Sequence, residues 1–477
     1  MTGSRGMKRV ILLALALIGA ALPLQAQNRS PDELNARLAE RRAVEAVIWG
    51  MPAVNYDLML QEMLRKTSGK VNQVLYWGRP LDGRNQTLTP NPDALYFMVF
   101  FNTADGPIVL DLPPGDRNGS FNGNIVTTWQ VPLEDAGLLG IDKGKGGKFL
   151  ILPPAYKGAT PAGYIPLPSD TFGGFMLFRA NFKSRSEADI AASVAYGKRM
   201  KVYPLAQAKT PPPTVFTDAK DVDFDSTICY DAGFFDHLNR IVQSEPWLDR
   251  DRVMIDQLRS IGIEKGKPFA PSDAAKAVLS AAAREAGDWL EARYEAGLPP
   301  YFSPTSHWTF PAFPALIKAA GEGFTSPDDY PLDDRGLAYS YAFVAIKRLG
   351  AGQFYLFSIR DKDGSFYDGS RTYRLRVPPN VPVEQYWSAT VYDRKTHALI
   401  KNMSRASRAS NAADLQKNPD GSTDVYFGPK APDGKDANWI PTDVQGQFEL
   451  IFRLYAPTKV FFDRKWVLPD VELLAAQ

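Results

Sequence analysis

The sequence is poor in the residues that mark several protein classes. It has one cysteine, Cys229, and three histidines, at positions 237, 307 and 397, in 477 residues. One cysteine cannot form a disulfide within the chain, which excludes the disulfide-stapled class of small secreted domains; Ile228-Cys229-Tyr230 is instead expected to be a buried apolar stretch. Histidines this scattered provide no zinc motif of local spacing, so no metal ligands are assigned and no cofactor is named. A charge excess is lacking too. Lys and Arg number 55 against 53 Asp and Glu, which leaves no field suited to nucleic acid. No run is long enough to span a bilayer: residues 10–22 are about 13 apolar positions where a span needs about 20.

That short run is informative in another way. It follows Arg5, Lys8 and Arg9 and ends in Pro23-Leu24-Gln25-Ala26, the three-part layout of a secretory leader. A signal peptide is expected over 1–26, cleaved after Ala26, with the mature chain in the periplasm or outside the cell.

About 450 residues remain, more than one hydrophobic core usually serves. Residues 32–66 carry helical spacing interrupted by Pro52, which predicts two helices with a kink at Gly50-Met51-Pro52. From 74 to 182 the texture changes to short β-branched and aromatic runs, at 95–101, 108–112, 123–131, 148–152 and 174–180, punctuated by Gly and Pro. Helical texture returns at 186–200, 231–243, 249–262, 272–297 and 333–348. Strands resume at 353–360, 372–377, 384–392, 423–428 and 448–455, with a last one at 459–462. Asp361-Lys362-Asp363-Gly364 and Asn418-Pro419-Asp420-Gly421 read as hairpin turns. The expected fold is α+β, mainly β: two antiparallel β-sandwich-like domains, at 27–200 and 351–477, joined by a mainly helical connector over 201–350.

Motif tests mostly exclude. Asp221-Val222-Asp223-Phe224-Asp225 begins like a calcium loop, but Ser226 stands where Gly is needed and Ala232 where a bidentate Glu is needed. Gly144-Lys145-Gly146-Gly147-Lys148 lacks the first Gly and the Ser or Thr of a phosphate loop. No Gly-x-Ser-x-Gly elbow is present. The segment Thr89-Pro90-Asn91-Pro92-Asp93-Ala94-Leu95-Tyr96 remains. Two prolines stiffen a lead into a strand and place Asn91, Asp93 and Tyr96 at its mouth. Asp93 is the candidate acid or base, Asn91 and Tyr96 the candidate ligand-orienting groups, and Trp387 and Trp439 the candidate stacking faces.

These residues also carry a resemblance. Asn91-Pro92-Asp93-Ala94-Leu95-Tyr96 looks like the Asn-Arg-Asp-Thr-Leu-Tyr segment of a two-domain family whose halves are the domains of unknown function DUF1254 and DUF1214, with Pro92 and Ala94 departing from it. Gly147-Lys148-Phe149-Leu150-Ile151-Leu152-Pro153-Pro154 and Phe234-Phe235-Asp236-His237-Leu238-Asn239 continue the match. Tyr386-Trp387-Ser388, Val391-Tyr392-Asp393, Asn438-Trp439-Ile440-Pro441 and Arg453-Leu454-Tyr455-Ala456-Pro457 follow in order. The resemblance implies a β-rich, two-domain protein and brings no activity with it. Two functions are therefore carried forward. One is a protein that binds or modifies, by hydrolysis among other routes, an uncharged or mildly polar small molecule or glycan in a cleft near Asp93. The other is a non-enzymatic structural or interaction protein of the cell envelope, assembled as a homo-oligomer or in a heteromeric complex.

Overall fold

A computed structural model describes residues 29–138, 140–342, 346–348 and 353–475. The leader expected over 1–26 lies outside the described residues.

The chain opens with α1 (Pro31–Lys66). Ser30 and Glu33 form a reciprocal capping box, Pro31 occupies the first turn, and Arg65 and Lys66 sit at the negative end of the dipole. Two helices were expected here, yet α1 is continuous through Pro52. Residues 46–57 are all buried, so neighbours clamp the helix on every side. The Ile48 carbonyl, which Pro52 leaves without its helical amide, lies against Gly336, where an added Cβ would come within 2.6 Å of the oxygen.

Strands follow: β1 (Val74–Tyr76), β2 (Asn85–Gln86), β3 (Leu95–Asn102), β4 (Ile108–Leu112), β5 (Phe121–Thr127), β6 (Pro132–Gly137), β7 (Gly147–Leu152), β8 (Tyr164–Pro168) and β9 (Gly173–Ala180). After α2 (Glu187–Gly197) come β10 (Lys201–Pro204), β11 (Phe216–Asp218) and β12 (Phe224–Asp225). One sheet has the order β11-β1-β3-β9-β5-β6 and a second β10-β4-β7-β8. Pairing is antiparallel except at β1–β11 and β7–β8. Leu95, Phe97, Val99 and Phe101 of β3 point into the core between these sheets, while Tyr96, Met98 and Phe100 point the other way, into a helical layer. Burial on both faces is why β3 reads as an unbroken apolar run.

That helical layer is α1 with α3 (Gly233–Ser244), α4 (Arg252–Gln257), α5 (Asp273–Ala296), α6 (Pro314–Gly321) and α7 (Leu332–Tyr341). Beyond it lies the second β half: β13 (Gln353–Ser358), β14 (Tyr373–Val377), β15 (Trp387–Asp393), β16 (Ser407–Ala409), β17 (Thr423–Gly428), β18 (Trp439–Pro441), β19 (Phe448–Tyr455) and β20 (Glu472–Leu473). Its sheets have the orders β13-β19-β15-β16 and β18-β17-β14-β20 and enclose a core of their own. The architecture is α+β, with β-sheets in both halves and helices between.

Two local expectations are corrected. Residues 459–462 form a short helix, α8 (Lys459–Phe462), and no strand: Asp463 N donates to Lys459 O at 2.9 Å, and Phe461 alone of the three apolar residues turns into the core. Cys229 is exposed, because Tyr230 faces Gly287 of α5 and the thiol between Ile228 and Tyr230 is turned out. Partial burial and then Asp231 and Asp225 push that thiol above its ordinary range, so it is expected to be alkylated slowly at pH 7 and faster as pH rises through 9, followed by mass spectrometry. Gly336→Ala is expected to cost about 1–3 kcal/mol in urea unfolding, as overpacking against α1.

Candidate functional site

Residues 88–93 run between the two β halves. Such a buried connection must satisfy its own backbone. Pro90 and Pro92 carry no N–H, so this stretch presents carbonyls in excess of donors. Side chains of the second half take most of them. Arg453 Nη2 donates to Thr89 O at 3.1 Å, Tyr392 Oη to Pro90 O at 2.6 Å, and Tyr386 Oη to Asp93 O at 3.0 Å. Pro92 O accepts from Arg185 at 2.9 Å. Thr89 N in turn donates to His397 O at 2.6 Å, with both residues held at positive φ, 40° and 54°. Asn91 exchanges hydrogen bonds with the Tyr455 hydroxyl at 2.8 and 3.1 Å, and its backbone N–H donates to the Tyr96 hydroxyl oxygen at 2.8 Å. The Tyr386 and Tyr455 rings stack with centroids 3.9 Å apart. Burial pushes the hydroxyls of Tyr386, Tyr392 and Tyr455 above their ordinary range, so all three remain neutral donors.

Asp93 is 3% exposed. Its Oδ1 accepts from Ser407 Oγ at 2.9 Å and pairs with the half-exposed Arg185, while Oδ2 has no partner among the described residues. Behind the segment is a cavity of about 50 Å³. Tyr96 and Met98 of β3 and Phe175, Leu177 and Arg179 of β9 form its wall on one side; Tyr355 and Phe357 of β13 and Ile451 and Arg453 of β19 face them. Asn55, Thr87, Asn91 and Ser226 add polar groups. Arg453 is 2% exposed and reaches Thr390 Oγ1 at 2.9 Å and Tyr392 Oη at 2.5 Å, with Nε unpaired. Arg179 Nε reaches only the Tyr96 hydroxyl, at 3.3 Å, and its guanidinium lies 5.4 Å from that ring. Leu88 lines both this cavity and an outer groove of about 760 Å³ that contains His397 and Arg394.

The structure thus brings Asn91, Asp93 and Tyr96 together and puts Asn91 and Tyr96 on the cavity, with Asp93 outside its lining. Trp387 lies in the second core, stacked on Phe452 at 5.4 Å; Trp439 is half-buried, its indole N–H donating to Gly428 O at 2.8 Å, and neither lines the cavity. The three histidines pair separately, with Asp57, Asp470 and Glu449, and no group of three metal-ligating side chains occurs among the described residues. Sequence reading missed Arg179, Tyr355 and Arg453. A charge inside strands that are otherwise apolar, as in Phe448–Tyr455, was the available signal.

A family model described as Protein of unknown function (DUF1254) matches residues 71–204, and one described as Protein of unknown function (DUF1214) matches residues 352–459. The chain belongs to the paired DUF1254/DUF1214 family. The family-like segments around Asn91, Tyr386, Tyr392 and Arg453 are the ones that meet at the seam. Among solved structures, the VPA0106 protein from Vibrio parahaemolyticus is similar, at 18% identity and TM-score 0.55, over 92% of this chain and 100% of that one. This likeness is one of fold. A putative uncharacterized protein from Burkholderia cenocepacia aligns at 13% identity and TM-score 0.42, over 93% and 96% of the two chains. No curated protein matches. Among the described residues no helix of this DUF1254/DUF1214 protein is long and apolar enough to cross a membrane.

The Asn91–Tyr455 pair should be a measurable tie between the halves. Asn91→Ala is expected to cost about 1–3 kcal/mol, since it strands a buried hydroxyl. A double-mutant cycle with Tyr455→Phe should return a coupling of about 0.5–3 kcal/mol in chemical denaturation.

Proposed function

We propose that this is an exported ligand-binding protein that takes a small molecule, or the end of one, into the cavity between its two β halves. One observation carries the reading: polar groups of both halves, among them Asn91, Tyr96 and Arg179 from one and Tyr355 and Arg453 from the other, converge with apolar side chains on a single cavity. Convergent polar groups in an apolar hollow at a domain junction are the usual make-up of a ligand site. The leader-like residues 1–26 support export. At about 50 Å³ the cavity holds on the order of four water-sized groups, which suits a compact ligand better than a sugar ring.

In this reading Asp93 anchors the segment 88–93, and Asn91 and Tyr96 face the ligand. Among the described residues no carboxylate lines the cavity, so a hydrolytic carboxylate pair is not part of the proposal. Asp93→Asn is then expected to lower the melting temperature while ligand affinity stays within a few-fold of wild type. Loss of binding with an unchanged melting temperature would instead return Asp93 to the ligand.

The direct test is a thermal-shift screen of small polar molecules on the chain from Gln27 onward, with Ala342→Leu as the control. Ala342 is buried and lines the cavity, so the added atoms fill it. A ligand at a hundred times its Kd adds about 2.7 kcal/mol, a rise of several degrees that Ala342→Leu should abolish. Shifts equal in both proteins would remove the seam cavity as the site.

A further inference from the structure

Arg179 and Arg453 stand out electrostatically. Arginine keeps its charge in proteins, and a guanidinium taken out of water costs several kcal/mol unless an anion compensates it. Among the described residues neither makes an ion pair, and no Asp or Glu lines the cavity they share. The partners they have are the hydroxyls of Tyr96, Tyr392 and Thr390, the Thr89 carbonyl and the rings of Tyr96, Tyr355 and Tyr392, all without formal charge. The buried Asp93 is already engaged by Arg185 and Ser407. Arg179 and Arg453 line the same cavity, one from each half. Water in the cavity would satisfy their N–H groups and leave the charge uncompensated.

Resting on the reading of the seam cavity as a ligand site, we infer that its ligand is a short-chain carboxylic acid, with the carboxylate held by Arg179 and Arg453 and the alkyl tail against Met98, Leu177, Phe357 and Ile451. Guanidinium forks match a carboxylate in geometry as well as in charge. The side chains of Met98, Leu177, Phe357 and Ile451 give no donors to the far oxygens of a tetrahedral phosphate or sulfate, which favours an acid with a hydrocarbon end. The ligand class therefore departs from the uncharged molecule expected of the sequence.

The experiment is a thermal-shift and calorimetric comparison at pH 7.5 and constant ionic strength, using acetate, propionate and butyrate, the matching amides, and inorganic phosphate and sulfate. Wild type is compared with Arg179→Met and Ala342→Leu. The acids are expected to bind and the amides not. Arg179→Met should weaken acid binding roughly 10–100-fold, the loss of a charge-assisted hydrogen bond. Its ligand-free melting temperature should hold or rise, because a partly buried charge with no counter-ion is replaced by an apolar chain of similar length. A merely structural Arg179 would lower it, and that result would overturn the inference. Amides binding wild type as well as acids do would overturn the carboxylate and leave the seam site standing. Phosphate or sulfate binding as tightly as propionate would overturn the hydrocarbon tail. If no compound in any arm shifts wild type, both the ligand class and the seam site fall. The acid-against-amide comparison needs no variant, so it decides the matter even if Arg179→Met does not fold.

Discussion

A chain that passes between two sheets must find partners for its backbone without water, and in this protein residues 88–93 meet that demand across the domain boundary. Two prolines delete donors that the seam could not have satisfied. The carbonyls that remain are met by Arg185, Tyr386, Tyr392 and Arg453, three of which lie in the second half. The orientation of the halves, the burial of Asn91 and Asp93, and the position of Arg453 all follow from those few hydrogen bonds. Each is individually modest, near 1 kcal/mol net, but leaving any one of these buried groups unpaired would cost more than making the bond gains.

The same demand explains the unusual second face of β19. Phe448, Leu450, Phe452 and Leu454 fill the core of the second half. The alternate positions, Glu449, Ile451, Arg453 and Tyr455, look toward the first half and are buried just as fully. A strand with one apolar and one polar face usually puts the polar one in water. Here it is held by facing side chains: Glu449 accepts from Tyr294 at 2.9 Å and lies 3.0 Å from His397 Nδ1, Tyr455 holds Asn91, and Arg453 holds Thr89.

Much of the fold was legible because its signals are local. Strands β4, β17 and β19 follow directly from apolar runs bounded by turn residues, and the helical spacing from residue 32 announces the first helix. Pro52 misled because its cost is decided by what packs on the freed carbonyl, and Gly336 lies nearly three hundred residues away. Asn91 and Tyr96 could be singled out since prolines at fixed spacing mark a stiff, ordered segment. Arg179 and Arg453 could not be paired from sequence: each looks like a lone charge in a strand, and only the meeting of β9 with β19 puts both on one cavity. Trp387 illustrates the converse, an aromatic beside polar neighbours that packs inward on Phe452.

The placement of one arginine on each side of the seam bears on inheritance. A change in register or side-chain size on β9 alters a surface that β13 and β19 read, and the reverse also holds, so neither half is free to drift alone. Duplicating or transplanting one half would carry over a sheet with half a pocket and a row of side chains addressed to absent carbonyls. The two modules are therefore expected to travel as a unit, and lineages that modify one should bear matching changes in the other.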